Sequence, residues 1–464
     1  MTGNALFISA AHKSSGKTTF AMGLSQVLKG QGVAVQTFKK GPDYIDPMWL
    51  SSAAGRPCRN LDFYTQEHEE IVSVFQKFNA DADVSIIEGN KGLYDGVDTE
   101  GADSNGALAR LLGVPVLLVI DTYGITRGVA PLVKGYQDFE PDLNIVGVVL
   151  NKIGGSRHES KLRAAIERYT DMEVLGAIGR RPEMKIVERH LGLVPANEMP
   201  AADSSIARTA RHIERDVNIE RVKELAAAPS PTMAENMPAA AKIGLPDIRI
   251  GIARDVAFGF YYQDDLESLE SAGVELVPFD TLVDRHLPDV DGLFIGGGFP
   301  EVHLRMLEAN ESLRTEIREA IQNGMPVYAE CGGLLYLTRH LSWQGESGEM
   351  VGIIPADAVM QDRPVGRGYV RLEDSGEGLW PGGGKFPAHE FHYAALENMA
   401  EDLRFAYKVK RGQGIDGDYD GIIINNLLAC FAHQRDITAN HWAERFAGFV
   451  RAQKVDSKAA MVSA

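Results

Sequence analysis

The sequence predicts an α/β protein of two successive domains, each built around a sheet with parallel strands. Three observations carry this. At 464 residues the chain is too long for one ordinary core, and two domains of about 200 residues each are the natural division. Short apolar runs alternate with longer helical patterns, as buried parallel strands joined by crossover helices do. That alternation breaks off at an Ala- and Pro-rich stretch and starts again beyond it.

In the first half the apolar runs are residues 6–9, 33–38, 84–87, 114–120 and 145–150. Residues 226–246 show no core periodicity and read as a linker, which places the first domain at 1–225. The second, 247–452, opens with Ile248-Arg249-Ile250-Gly251-Ile252 and continues through apolar runs at 274–277, 292–295 and 326–329. Its later part, with 369–372 and 421–424, looks richer in strands than in helices. A disordered tail is expected at 453–464. Lys and Arg number 47 against 64 Asp and Glu, a formal net charge of −17, which argues against nucleic acid or an anionic membrane as partner. Any anionic ligand must therefore meet local clusters of Lys and Arg. The longest apolar run, 114–120, is far short of the roughly 20 residues a membrane helix needs, and the N-terminus has no signal-peptide pattern. Three widely spaced cysteines, Cys58, Cys331 and Cys430, form neither a disulfide framework nor a zinc site, and suit a reducing cytoplasm.

The strongest motif is Ala11-His12-Lys13-Ser14-Ser15-Gly16-Lys17-Thr18, with Thr19 next to it. It follows a strand and opens a helix, the context in which backbone N–H groups and a helix N-terminus cradle a triphosphate, although Ala11 stands where the first Gly usually does. In that frame Lys17 reaches the outer phosphates and Thr18 places its hydroxyl on Mg²⁺. Glu88 ends the strand 84–87 at the edge where open parallel sheets bind ligands, which makes it a second metal candidate. Between them, Lys39-Lys40-Gly41-Pro42-Asp43-Tyr44-Ile45-Asp46-Pro47 concentrates more charge than a connecting loop needs. We expect it near the γ-phosphate, with Asp43 holding metal or orienting the acceptor and Lys40 neutralising a carboxylate or acyl phosphate. The segment 88–96 has the same character: three glycines permit close backbone approach, and Lys91 adds positive charge beside Tyr94. Asn151, at the end of the strand 145–150, is placed to read an adenine edge or to serve as a turn residue.

In the second half, Cys331 follows an apolar strand and precedes Gly332-Gly333 and a helical Leu334-Leu335-Tyr336-Leu337, the outline of a nucleophile elbow. Backbone at Gly297, Gly298 and Gly332 is expected to supply an oxyanion hole. The general base should be a distant His. His433 is best placed, with His389 and His392 as rivals.

Taken together, these motifs resemble the cobyrinic acid a,c-diamide synthase family. They are the phosphate loop, Gly41-Pro42-Asp43-Tyr44-Ile45-Asp46-Pro47, Glu88-Gly89 with Gly92-Leu93-Tyr94-Asp95-Gly96, Gly296-Gly297-Gly298-Phe299-Pro300-Glu301, Glu330-Cys331-Gly332-Gly333 and His389-Glu390-Phe391-His392-Tyr393. They span nearly the whole chain in the expected order. The resemblance implies a dethiobiotin-synthetase-like parallel-sheet domain with a P-loop, succeeded by a class I, triad-type glutamine amidotransferase α/β domain. It implies that ATP·Mg²⁺ phosphorylates acetate side chains of a tetrapyrrole, that Cys331 forms a glutamyl thioester with His433 as its base, and that ammonia displaces phosphate. Asp43, Tyr44 and Ile45 match the family's substrate segment, Ile45 standing where Leu is common. Arg435 lies two residues after His433, where other class I amidotransferases carry an acid, so the resemblance implies that the triad's third member is absent. Ala10-Ala11-His12-Lys13 and Asn90-Lys91 depart from the family pattern beside the acceptor site, which keeps open a sibling that amidates sirohaem or nickel sirohydrochlorin. The substrates implied are L-glutamine and cobyrinic acid or sirohaem, and a homodimer is among the expectations.

Two other classes are weighed. The first domain also resembles partition-type P-loop ATPases that act as regulatory switches, yet His12 stands where those carry an extra lysine, and they need no Cys331 domain. A carboxylating ligase of the dethiobiotin type would have no use for glutamine.

Overall fold

The computed structural model of the chain describes residues 3–189, 192–228, 245–380, 382 and 384–463. It divides into two units, 1–238 and 239–464. Most of the expected linker, 229–244, lies outside the described residues; Ala227 before it bridges to Ala5.

The first unit alternates β1 (Asn4–Ala10), α1 (Lys17–Gly30), β2 (Val35–Lys40), α2 (Ile45–Ala54), β3 (Arg59–Leu61), α3 (His68–Asn79), β4 (Val84–Glu88), α4 (Asn105–Leu112), β5 (Val116–Asp121), α5 (Val129–Phe139), β6 (Ile145–Ile153), α6 (Ser156–Tyr169) and β7 (Val174–Gly179). The strands form one sheet in the order β3-β2-β4-β1-β5-β6-β7, every pairing parallel. Helices cover both faces of such a sheet, so β2 and β4 are buried at every position; β4 is largely apolar, while β2 also buries Gln36, Thr37, Lys39 and Lys40. The register sets Ile8 and Lys39 opposite Glu88. Hence the loops after β1, β2 and β4 leave from one level of the carboxyl edge, where ligands of open α/β sheets bind.

β2 starts two residues later than the apolar run 33–38. The N–H of Val33 donates instead to Leu28 O, so residues 31–33 close α1. The apolar pattern also missed β3, three residues long and led by Arg59-Asn60, and β7, which contains two glycines.

In the second unit a nine-stranded sheet begins with five parallel strands in the order Val274–Phe279, Ile248–Ala253, Gly292–Ile295, Val327–Glu330 and Leu427–Cys430. Antiparallel strands Tyr419–Ile424, Arg404–Arg411, Gly366–Asp374 and Lys385–His392 extend it. A second, four-stranded sheet holds Glu346–Glu349, Thr338–Trp343, Ile354–Met360 and Ala394–Glu397. The later part is therefore strand-rich. Residues 453–463, expected to be disordered, instead continue the helix Trp442–Ser463, a stretch with the good helix formers Lys458, Ala459, Ala460 and Met461. Among the described residues, no helix is long and apolar enough to cross a membrane.

Candidate active site

Elements that the sheets bring to their carboxyl edges build two sites, one in each unit.

In the first, β1 runs into the loop 11–16, which turns into α1 through Gly16 at φ 93°. A side chain is excluded there, because a Cβ on Gly16 would lie 2.3 Å from Asn151 Nδ2. That amide donates to Ser15 O at 2.8 Å, and Asn151 Oδ1 accepts from Lys152 N at 2.9 Å. Asn151 thus braces the phosphate loop. His12 and Lys13 are exposed, Ser14 sits at φ 63°, the hydroxyl of Ser15 donates to His12 O at 2.8 Å, and Thr19 is half-buried on the first turn of α1. Lys17 is buried and its ammonium donates to Lys91 O at 2.5 Å. Burial, and then the nearby Lys39, bring its pKa down to about 8.

Around Thr18 the structure gathers more charge than the sequence reading assigned. The Thr18 hydroxyl donates to Glu88 Oε1 at 2.6 Å and lies 3.3 Å from Asp46 Oδ2. Lys39, 3% exposed, places its ammonium 2.6 Å from Asp46, 3.0 Å from Glu88 and 3.8 Å from Asp43. Burial alone would lower the Lys39 pKa, but Asp46 and Glu88 outweigh it and hold it well above the usual value. Burial raises the Glu88 carboxyl, Lys39 opposing, and Glu88 Oε2 is buried with no hydrogen-bond partner. Three carboxylates lie within 4 Å of the Lys39 ammonium, with the Lys17 ammonium nearby, and carboxylate oxygens are the ligands a hard cation takes.

The loop after β2 is held by Asp43, whose Oδ1 accepts from the N–H groups of Ile45 and Asp46 at the start of α2. Ile45, the first residue of α2, is buried, 8% exposed. Tyr44 is half-buried. Lys40, its pKa lowered by burial, lies 3.4 Å from Asn90 Oδ1. The Tyr94 hydroxyl donates to Tyr136 O at 2.5 Å, its ring stacks on Tyr136, and the Tyr136 hydroxyl in turn donates to Ala11 O. The pair therefore clamps the start of the phosphate loop. Asn105 is a further residue that motif reading missed. Fully buried at the start of α4, it donates to Gly92 O at 2.7 Å and accepts from Asn90 N at 3.2 Å, tying down the loop that carries Lys91.

In the second unit, Val327–Glu330 pairs with Leu427–Cys430 so that Glu330 stands opposite Cys430. The two strands therefore end at one level of the same sheet edge. The first runs directly into Cys331 and the second, three residues on, into His433. Cys331 has φ 47° and ψ −104°, a strained backbone for any residue but glycine, and leads into the helix Gly332–Leu337. The turn is that tight because its neighbours are glycines: a Cβ on Gly332 would lie 2.8 Å from Gly298 N, and one on Gly333 would lie 2.1 Å from Ile295 O. Gly297 faces the His433 ring, with a hypothetical Cβ 2.6 Å from Cε1. The three glycines expected at an oxyanion hole, Gly297, Gly298 and Gly332, thus all lie around the Cys331 and His433 pair.

His433 hydrogen-bonds to the Cys331 side chain, and its Nδ1 lies 3.2 Å from Glu330 Oε2. Burial opposes the charged imidazole, yet the bonds to Cys331 and Glu330 prevail and raise its pKa to about 10. The rivals are differently placed. His389 exchanges two backbone hydrogen bonds with His433, its Nδ1 is buried without a partner, and burial together with the charge of His433 drives its pKa down to about 3. His392 Nδ1 donates to Ala394 O at 2.8 Å and its ring stacks on Phe431 with centroids 3.8 Å apart. The expectation that no acid completes the set meets a carboxylate after all, on the residue just before the cysteine. Arg435 turns away to Asp264 at 3.1 Å.

Comparison with known proteins agrees with both halves. Residues 7–194 match the CobQ/CobB/MinD/ParA nucleotide binding domain, and residues 249–436 match the CobB/CobQ-like glutamine amidotransferase domain. A protein of Magnetococcus marinus named cobyrinate a,c-diamide synthase is 47% identical, over 96% of this chain and 97% of its own length. Proteins of the same name from Methanosarcina acetivorans, 43% identical over 92% of this chain and 91% of that one, and Methanosarcina barkeri, 40% identical over 94% of each, are similar as well. With relatives this similar along nearly its whole length, a nucleotide-binding unit at its start and an amidotransferase unit after it, the chain belongs to the cobyrinate a,c-diamide synthase family.

Proposed function

We propose that the chain uses ATP and glutamine to convert the a and c acetate carboxylates of cobyrinic acid to amides, with Cys331 and the 11–19 loop as its two reacting centres. The observation that carries the reading is the presence in one chain of a strained, histidine-paired cysteine and a phosphate loop beside the Thr18, Lys39, Asp46 and Glu88 cluster. The names of the relatives favour cobyrinic acid over sirohaem or nickel sirohydrochlorin, and the amidotransferase unit argues against a regulatory ATPase.

At Cys331 the thiol proton passes to His433, and the thiolate attacks the carboxamide carbon of glutamine. Gly297, Gly298 and Gly332 line the space for the oxyanion. The imidazolium returns its proton to the departing nitrogen, which leaves as ammonia; water then cleaves the thioester to glutamate and restores the thiol. In the first unit, the N–H groups of residues 12–17 and the Lys17 ammonium hold the triphosphate of ATP. A carboxylate oxygen of the substrate attacks the γ-phosphorus, ADP leaves, and ammonia displaces phosphate from the acyl phosphate to form the amide. The chain's residues fit Mg²⁺: Thr18 Oγ1, Glu88 and Asp43 would hold it, Glu88 Oε2 being free to do so, and the ion would supply charge neutralisation for the phosphates. Lys40 and Lys91 would meet an anionic acceptor, which needs local positive charge.

A cytoplasmic setting suits three free cysteines, and a homodimer is the assembly that light scattering should test. The activity is tested by mass spectrometry of products formed with ATP, Mg²⁺, glutamine and, separately, cobyrinic acid and sirohaem. Two successive mass changes of about −1 Da on cobyrinic acid, each a hydroxyl replaced by NH₂, are expected; amidation of sirohaem alone would replace the reading with the sibling one.

A further inference from the structure

Glu330 is buried, 3% exposed, and both of its oxygens are used. Oε2 lies 3.2 Å from His433 Nδ1, while Oε1 accepts from the Tyr328 hydroxyl at 2.5 Å and from Gln434 N at 2.9 Å. The second of these bonds comes from the residue after the histidine, so the carboxylate grips both the ring and its backbone. Gln434 is itself fixed, bonding to the Tyr407 hydroxyl at 3.1 Å and to Asn440 at 2.9 Å. Every partner in this chain is buried. Arg435, in the place after the histidine where other class I amidotransferases carry an acid, is committed to Asp264.

We infer that Glu330 is the positioning residue for His433: it accepts the Nδ1 proton in a hydrogen bond, which fixes the tautomer that presents Nε2 to Cys331 and supports the imidazolium after the thiol proton arrives. The carboxylate accepts that bond without taking the proton. His389 provides an internal contrast. It is joined to His433 by two backbone hydrogen bonds and shares its burial, but no carboxylate holds its Nδ1, which is buried without a partner. Parallel pairing explains how the acid arrives: with Glu330 opposite Cys430, its side chain lies beside the backbone that runs on to His433.

This role rests on the reading of Cys331 and His433 as nucleophile and base, and the test separates the two. The full-length enzyme is treated with a glutamine-like chloroketone across a pH series, and the alkylated residue is identified by mass spectrometry. In the unsubstituted enzyme Cys331 should carry the label, with the rate falling at high pH as the imidazolium is lost; label elsewhere would overturn the nucleophile reading and this role with it. In Glu330→Gln the descending limb should move down by at least about one pH unit and glutaminase kcat should fall about 100-fold or more, with KM for glutamine little changed. Glu330→Asp should restore part of the rate. Ammonia-dependent amidation should persist in both variants as evidence of folding. A pH–rate curve and kcat in Glu330→Gln matching the unsubstituted enzyme, with Cys331 still labelled, would overturn the role of Glu330 alone. Should Glu330→Gln fail to fold, ¹⁵N-histidine spectra of the unsubstituted protein decide: a downfield Nδ1 proton that is lost in His433→Gln supports the bond, and its absence overturns it.

Discussion

The two sites are prepared in opposite ways. At the phosphate loop the geometry is held by hydrogen bonds from polar side chains to backbone carbonyls, and charge is concentrated beside it: Lys17 rests on a carbonyl, and three carboxylates surround Lys39. At Cys331 the geometry is held by packing, with glycines that leave no room for a methyl group, and the Glu330, His433 and Cys331 side chains already touch. The first arrangement needs an incoming ligand to complete it. The second is finished before glutamine arrives, as suits a step in which only a proton and an acyl group move. The difference teaches where each site is vulnerable: the first to changes of charge, the second to changes of shape.

The sharpest break comes from removing one reacting group at a time. Cys331→Ala should reduce glutamine-dependent amidation by at least about a thousandfold while leaving synthesis from added ammonia. Failure of ammonia rescue in a folded variant would end the two-site reading. Next in size, Lys17→Ala should lower amidation about 100- to 1000-fold but spare part of the glutamine hydrolysis; equal loss of both would show that the sites are not independent. A change of shape alone is tested by Gly333→Ala, whose methyl would meet Ile295 O. It should cost about 1–3 kcal/mol, seen as a melting point lowered by roughly 2–10 °C, and should suppress glutamine hydrolysis more than ammonia-dependent synthesis.

The smallest effect concerns charge. A free-enzyme Lys17 pKa of about 8 means that the loop is protonated below pH 8 and progressively neutral above it. Phosphate favours the ammonium, so ATP must restore that proton at higher pH. Affinity for a non-hydrolysable ATP analogue should be flat below pH 8 and weaken by up to about tenfold per unit above it. Calorimetry in two buffers of different ionisation enthalpy should detect the proton taken up, and Lys17→Arg should abolish the uptake.

Legibility in the sequence divided along the same line. The parallel strands were readable because burial on both faces turns them into apolar runs, and the phosphate loop because strand, glycine and lysine occur in one short segment. Cys331 was readable for a similar reason, its glycines coming directly after it. Partners brought together only by sheet register left no such trace. Lys39 and Asp46 looked like two more charges in a polar loop, and Asn105 like an ordinary residue at a helix start, until β1, β2 and β4 aligned their ends. Glu330 was hidden by its closeness: a residue adjacent to the nucleophile in sequence gives no hint that it contacts a histidine about a hundred positions away. Tyr94 and Asn151 show the converse, side chains with ligand-ready chemistry that the fold has engaged in supporting the loop.

The backbone of Cys331 has a consequence for how the chain can change. Its φ of 47° suits glycine far better than cysteine, and such a conformation costs on the order of 1–3 kcal/mol. Cys331→Gly should therefore melt higher than the natural chain or at least match it, while hydrolysing no glutamine. Heat selection applied to a random library without a nitrogen-transfer screen would favour the disappearance of its reactive thiol, and the surviving proteins would be durable, well-ordered glutamine traps.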